Sequence, residues 1–402
     1  MHPAAYDYVA RTVGFWGPFG RVVEIGSLDL NGSVRPLFGT AAYIGVDVQP
    51  GPGVDQVVDP ALTWDPPTPV DTVVCCEVLE HVEAWPQILT AARRWLRPEG
   101  FLILTAAGPG RRPHSGVDGR RRLQAGEWYA NIDPADLERE LVTAGYWPVS
   151  VDVCGHDVRA VARRPPPTYV GIPFVDEVDR TRALVEQLAA DPVVDVVVLA
   201  DNGSADPATL AWLAGLEGDS RVRCLRFPPL GPGRSLYRVW NTLVDEATAG
   251  RWQPVNFALL NNDVRVPDGL IGHLARALRS ASPKIAAVYP DWNRPLADGV
   301  DVTGTLTPTQ GAWRAGGLSG FAFMFRAELV HGGLLPRFDE RYEWIFGDGD
   351  WVEALEAAGF TAARVEGLPL EHDRSATASQ TGWVPAAKRR DVERRKEKVA
   401  AR

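Results

Sequence analysis

The sequence predicts two α/β domains in series, and three observations carry that expectation. At 402 residues the chain exceeds one ordinary domain, and two units match common domain sizes. Short apolar runs at residues 21–25, 43–46, 71–76 and 101–105 alternate with segments of helical pattern, and a second such series runs through 169–173, 193–199, 222–227, 257–260 and 285–289. Between the two series lies Arg163-Arg164-Pro165-Pro166-Pro167, whose consecutive prolines lack amide donors and favour an extended linker over helix or central strand. The expected division is a first domain at 1–164, a proline-rich linker at 165–168, a second domain at 169–385 and a charged tail at 386–402.

Each run is short, apolar and followed by turn residues, the rhythm of a parallel sheet crossed by helices. In the second half Leu236, Val239, Trp240, Leu243, Val244 and Ala247 fall at helical spacing and form one apolar face. Residues 388–402 are rich in Lys and Arg with interspersed Glu and Asp, which predicts a solvated, partly helical terminus, with binding to a membrane surface or partner as the alternative.

The composition, 45% hydrophobic and 23% charged, is that of a globular protein and excludes wholesale disorder. A net charge of −9 argues against nucleic acid as a partner. Cys75, Cys76, Cys154 and Cys224 lack metal-ligand spacing and read as reduced core thiols. The first residues have neither a basic start nor a sustained apolar stretch, and no apolar run of roughly 18 residues follows, so a cytoplasmic protein without a transmembrane segment is expected.

In VVEIGSLDLNGSVRPLF an apolar run meets a turn rich in Gly, Ser and Asn. Gly26 lets the backbone approach a ligand, and Glu24 and Asp29 add negative charge, which suits a positively charged, amino-acid-bearing cofactor better than a pyrophosphate. About twenty residues on, Asp47 ends the next run in YIGVDV, where a carboxylate can accept hydrogen bonds from both ribose hydroxyls. VVDPALTW, DTVVCCEVLEHV and LRPEGFLIL follow in order. This ordered set resembles the class I S-adenosylmethionine-dependent methyltransferases, which have a Rossmann-like sheet, over roughly the first 160 residues. The resemblance implies that Glu24, Gly26 and Ser27 line the methionine end of S-adenosylmethionine, Asp47 its ribose and Asp59 the adenine region, with Glu77 near the cofactor. The glycine loop departs from the commoner GxGxG form. His114 and Ser115 follow the fourth run on the side where an acceptor would enter. His114, with His81 as a second candidate, is the expected catalytic base, and the five arginines from Arg111 to Arg122 could hold an acidic acceptor or form a solvated loop.

In the second half, YVGIPFVDE enters a proline turn, and VVDVVVLADNGSAD ends a buried run in Asp201, Asn202, Gly203 and Ser204, a place suited to nucleotide recognition. FALLNNDVRVPDGL presents Asn261, Asn262 and Asp263 after an apolar run, a cluster able to coordinate a hard divalent ion. FDERYEWIFGDGDWVEALEAAGF sets Asp348 and Asp350 before a helix. This set resembles the family 2 glycosyltransferases of the GT-A fold, over residues 169–377. The resemblance implies that Pro173, Asp201, Asn241 and Asn262 bind the nucleotide-sugar. It makes Asp263 a ligand of a divalent metal (Mn or Mg) at the DxD-like position, His372 a second ligand, and Asp348 the base that deprotonates an acceptor hydroxyl. Asn261 stands where many members have the first Asp, and Gly347 where they have Glu.

The function these resemblances imply is a bifunctional transferase: inverting sugar transfer from a nucleotide-sugar donor to a glycan or other hydroxyl acceptor, plus methylation. Two alternatives stay open at this level, in which only the glycosyltransferase domain is active or both domains form a degenerate glycan-binding scaffold.

Overall fold

Valine-rich runs too short for a stable helix form the strands. In the computed structural model, which describes residues 3–17, 20–39, 42–59, 63–147, 149–219, 221–228, 235–248, 256–309, 317–373 and 384–401, the chain divides into two units, Met1–Pro165 and Pro166–Arg402. Among the described residues no helix is long and apolar enough to cross a membrane.

The first unit contains helix α1 (Pro3–Trp16), strands β1 (Arg21–Ile25), β2 (Ala42–Asp47), β3 (Gln56–Val57) and β4 (Val70–Cys76), helix α2 (Trp85–Trp95), strand β5 (Leu96–Ala107), helix α3 (Pro134–Thr143) and strands β6 (Val149–Cys154) and β7 (Asp157–Arg163). The sheet order is β3-β2-β1-β4-β5-β7-β6. The first five strands are parallel, and β7 runs antiparallel to both β5 and β6. Side-chain alternation decides how it is covered: Val22, Val74 and Ile103 meet Val9 of α1 and Phe38, while Val23, Val73, Leu102 and Leu104 meet α2 and α3 through Leu89, Trp95, Leu137 and Leu141. Burial on both faces is why these runs are continuously apolar. The fold turns back between β1 and β4, so the strand ends there flank a crevice.

The second unit contains β8 (Thr168–Phe174), α4 (Val178–Ala190), β9 (Val194–Asp201), α5 (Pro207–Gly215), β10 (Val222–Arg226), α6 (Leu236–Thr248), β11 (Asn256–Leu260), β12 (Val264–Arg265), α7 (Leu270–Ser280), β13 (Ile285–Asp291), β14 (Leu306–Pro308), β15 (Ala322–Arg326), α8 (Ala327–His331), α9 (Gly347–Ala357), β16 (Thr361–Pro369), β17 (Glu371–His372) and α10 (Val384–Ala400). Its main sheet has the order β10-β9-β8-β11-β15-β13-β16-β14, and β12 pairs with β17. The apolar face of α6 packs as its spacing predicts, with Val239, Trp240, Leu243 and Val244 buried. Both units are α/β, as expected, the first with the doubly wound strand order of a Rossmann-like sheet.

Three features depart from the sequence expectation. Neither sheet is wholly parallel: β7, and in the second unit β15 and β14, run against their neighbours. Cys154 and Cys224 are exposed, and only Cys75 and Cys76 are core thiols. The charged tail is also not a solvated appendage. Asp391 of α10 is fully buried and accepts hydrogen bonds from the backbone amides of Glu343, Trp344 and Ile345 at 2.8, 2.7 and 2.9 Å. Arg390 and Arg394 pair with the buried Glu343 at 2.6 and 3.0 Å, and Lys398 lies 2.6 Å from the buried Asp350. The charges in this helix complement acidic groups that the rest of the unit buries.

Removing the Asp391 carboxylate leaves three amides unanswered, so Asp391→Ala is expected to cost on the order of 3 kcal/mol. Lys396→Ala, which breaks an exposed pair with Glu393, should cost less than about 0.5 kcal/mol. Urea denaturation followed by tryptophan fluorescence measures both, and equal midpoints for the two variants would contradict the anchoring role.

Candidate active sites

At the end of β1 the chain must turn sharply to pass β2. Gly26 has φ 76°, and a Cβ there would come within 2.2 Å of Val78 Cγ2, so only glycine fits. The amides of Gly26 and Ser27 both donate to Val46 O, at 3.0 and 3.1 Å. Asp47, at the end of β2, accepts from the amides of Leu28 and Gln49, both at 3.1 Å. This ties the glycine turn to the second strand end and leaves carboxylate lone pairs facing the crevice.

Glu24 is buried and accepts a 2.8 Å hydrogen bond from Tyr43 Oη. Burial pushes its carboxyl up to about 7, partly opposed by that bond. Ser27 Oγ is buried with no hydrogen-bond partner. Glu77 follows β4 with φ 58°, a strained conformation for a residue with a Cβ. Its amide donates to Thr105 O at 2.8 Å, and its carboxylate lies 3.4 Å from Arg111.

Glu24, Gly26, Asp47, Glu77, His81 and His114 line one cleft of about 1520 Å³. That exceeds the roughly 300–1,000 Å³ common for a single small ligand, leaving room for a cofactor and an acceptor together. Asp59 is not among its lining residues. It is exposed and takes a hydrogen bond from Thr63 Oγ1, while its neighbour Val58 lines the cleft instead.

On the opposite wall the His114 and His81 rings meet edge to face at 4.9 Å, and both stand edge-on to Tyr129 at 5.3 and 5.4 Å. Burial lowers the His81 imidazole to about 4, and burial also moves His114 downward, so both are neutral near pH 7. Ser115 is taken up locally, donating to Glu127 at 2.9 Å and capping the amides of Val117 and Asp118. Arg111, Arg112 and Arg121 all line the cleft, and Arg111 is paired there with Asp157 and Glu77. Sequence reasoning passed over Glu80 and Tyr129. The LEHV segment held Glu80 in plain view, but nothing in its spacing announced that it would be fully buried.

In the second unit, β8 and β11 are adjacent parallel strands, and their ends bring two loops together. Asp176 and Glu177, after β8, both have positive φ, 49° and 56°. Asp176 accepts from the amides of Ala205 and Asp206 at 3.0 and 2.9 Å, and its own amide donates to Ser204 Oγ at 2.7 Å, binding the DNGS turn to β8.

Four predicted binding residues lie inward. Asp201 is 1% exposed, its oxygens taken by Ser204 N at 2.8 Å and Arg226 at 3.2 Å. Pro173 is buried within β8. The Asn241 amide bonds Phe338 O, Glu340 and Phe338 N, and Asn262 donates to Thr181 Oγ1 at 3.1 Å. The Asp201, Asn241 and Asn262 side chains are thus engaged by protein partners.

Asp263, His372 and Asp348 are joined through one segment. His372 Nε2 lies 3.2 Å from Asp263 Oδ1, because β12 pairs with β17 in a register that puts Val264 opposite His372. The His372 ring stacks on Phe321 at 4.3 Å. The amide of the adjoining Gly320 donates to Asp348 Oδ2 at 2.9 Å. A Cβ on Gly320 would meet Trp240 at 2.6 Å and Asp348 Oδ2 at 3.1 Å, so glycine makes this approach possible. Asp348 sits in the first turn of α9 and also accepts from Gly349 N; burial raises its carboxyl above the usual range. An imidazole and a carboxylate side by side suit a divalent ion that completes its shell with ligand oxygens.

Residues 8–151 match the family described as a methyltransferase domain. No curated protein matches the chain. Among solved structures, the chain is similar to the mannosyltransferase PcManGT from Pyrobaculum calidifontis in complex with GDP-Man and Mn2+. The identity is 17% over 54% of this chain and 60% of that one, with a TM-score of 0.40. It is similar to the DhpI–SAH complex at 21% identity over 40% of this chain and 85% of that one, TM-score 0.33. A third likeness is to S. aureus TarS 1–349, at 12% identity over 51% and 60%, TM-score 0.38. The chain thus spans 60% of the length of the mannosyltransferase it resembles.

Proposed function

Taking as premise that residues 8–151 form a methyltransferase domain, we propose that the whole chain is a bifunctional transferase that methylates at its first unit and transfers a sugar at its second. The observation that carries the second activity is the continuous link from Asp263 through His372, Phe321 and Gly320 to Asp348. It sets a metal-binding pair and a half-buried carboxylate on one structural segment.

In the first unit Glu24 and the backbone of residues 26–28 hold the methionine end of S-adenosylmethionine, Asp47 holds its ribose, Val58 in place of Asp59 borders the adenine, and Glu77 closes the inner wall. The cofactor supplies an electrophilic methyl group, and the protein's task is to hold a nucleophile in line with it. His114, neutral and half-buried, faces the acceptor and is placed to take its proton. Arg112 and Arg121 give the entrance positive charge suited to an acidic acceptor.

In the second unit Asp263 and His372 hold a divalent ion that neutralises a diphosphate leaving group. Asp348 takes the acceptor hydroxyl's proton as the oxygen attacks the anomeric carbon, and its raised pKa makes it a better base than an exposed aspartate. In-line attack inverts that carbon. Asp201, Pro173, Asn241 and Asn262 support the nucleotide-sugar site from behind. Both activities on one chain suit successive action on one glycan, with the acceptor a glycan or another hydroxyl compound.

Calorimetry with S-adenosylhomocysteine should show binding to the full chain, weakened roughly 10- to 100-fold by Asp47→Ala through loss of charge-assisted hydrogen bonds. Unchanged affinity removes Asp47 from the ribose site. Glu24 must be ionised to attract a sulfonium, and its carboxyl sits near 7. S-adenosylmethionine affinity is therefore expected to rise from pH 6 to 8, and a rise equally steep in Glu24→Gln would contradict this role.

With manganese present, Asp348→Asn should lower sugar transfer by roughly 10²- to 10⁴-fold while nucleoside diphosphate affinity stays the same. Transfer at the wild-type rate rejects Asp348 as the base.

A further inference from the structure

The turn after β4 holds a polar group that the hydrogen bonding of the first unit does not explain. Glu80 is fully buried and neither carboxylate oxygen makes a well-formed hydrogen bond: burial pushes its carboxyl up to about 8, which the nearby amides of Glu80 and Ala107 only partly oppose, and the buried His81 Nδ1 has no partner at all. Burying a polar group without a partner is costly, and the usual answers are a hydrogen bond, an ion pair or a metal ion.

His114 comes to this group from the loop after β5, and Glu80, His81 and His114 each offer one ligand atom within 4.8 Å of the other two. The surroundings hold both imidazoles in place. Gly116 passes so near His81 that a Cβ would lie 3.0 Å from the ring, and Tyr129 stands edge-on to both rings. His114 Nδ1 lies 3.5 Å from Arg112 O, the kind of carbonyl contact that orients a ligating imidazole. The nearby cation Arg111 is paired with Asp157 and Glu77.

We propose that Glu80, His81 and His114 bind a divalent transition metal of the zinc class at the acceptor end of the methyltransferase cleft. Two imidazoles and one carboxylate are a three-ligand set that leaves a further position open, whereas magnesium and calcium favour oxygen shells. Donors around a tetrahedral zinc-class ion lie about 3.4 Å apart, so side-chain rotation must draw this group together by about 1 Å. His81 and His114 line the cleft while Glu80 lies behind them, which turns the open position toward the acceptor.

The site stands on its own geometry; its catalytic use rests on the methyltransferase reading. An acceptor hydroxyl at the open position loses its proton to solvent water more readily beside the ion. Its oxygen lone pair forms the new bond to the methyl carbon, and the broken carbon–sulfur pair remains on sulfur. With the ion bound, His114 is a ligand and the proton passes to water instead of imidazole.

The test is a Co2+ titration of metal-free, full-length protein carrying Asp263→Ala and His372→Ala, which removes the metal pair of the second unit. One equivalent of Co2+ with visible d–d absorption is expected. Adding Glu80→Gln or His114→Ala should weaken binding by roughly 100-fold or more, since altering even outer-shell partners costs about 10- to 100-fold. His114→Ala is the deciding variant, because its half-buried position tolerates truncation, and S-adenosylhomocysteine binding reports that the domain is folded. Absent Co2+ binding, or binding unchanged by His114→Ala, overturns the metal site. Protein that binds Co2+ but not S-adenosylhomocysteine instead overturns the methyltransferase reading and leaves the metal site standing.

Discussion

A parallel strand covered by helices on both faces can present polar groups only where it ends, and both units are organised by that constraint. In the first, the buried stretches of β1, β2 and β4 are apolar apart from Glu24 and Thr72, and Gly26, Asp47 and Glu77 appear at or just past their carboxyl ends. In the second, β9 and β11 end in Asp201 and in Asn261, Asn262 and Asp263. The reversal of strand order between the parallel β1 and β4, and the adjacency of β8 and β11, leave crevices where those ends meet.

Polar groups gathered at strand ends serve two purposes, and their hydrogen bonds tell them apart. Asp176, Asp201 and Asn241 are answered by backbone or side-chain partners within the unit. They hold loops in shapes that include two residues with positive φ at 176 and 177. Ser27, Glu80 and His81 instead keep buried polar atoms with no partner. The second group has hydrogen-bonding capacity left over, while the first spends its own within the fold.

Charge follows the same logic at the C-terminus. Mean hydropathy and helical amphipathicity give α10 no apolar face, but Asp391 caps a turn by accepting three amides and Arg390, Arg394 and Lys398 meet buried acids. A helix that reads as solvated is held by the acidic groups of distant segments, a pairing that local pattern cannot express.

The sequence by itself determined the fold class, the positions of the long strands and the chemistry of several loop residues. Two-sided burial demands continuous apolar runs, and tight turns demand glycine, so Val22 to Ile25 and Gly26 are legible from local pattern. Asp47, Asp263 and Asp348 were visible as carboxylates at strand or helix ends. Only the tertiary structure decided which polar residues face a cleft. It turned Asp201, Asn241 and Asn262 inward, set Asp59 outside, joined Asp263 to Asp348 through Gly320, and brought His114 to Glu80 and His81. Exposure and partnership depend on contacts between segments tens of residues apart, and no periodicity within one segment encodes them.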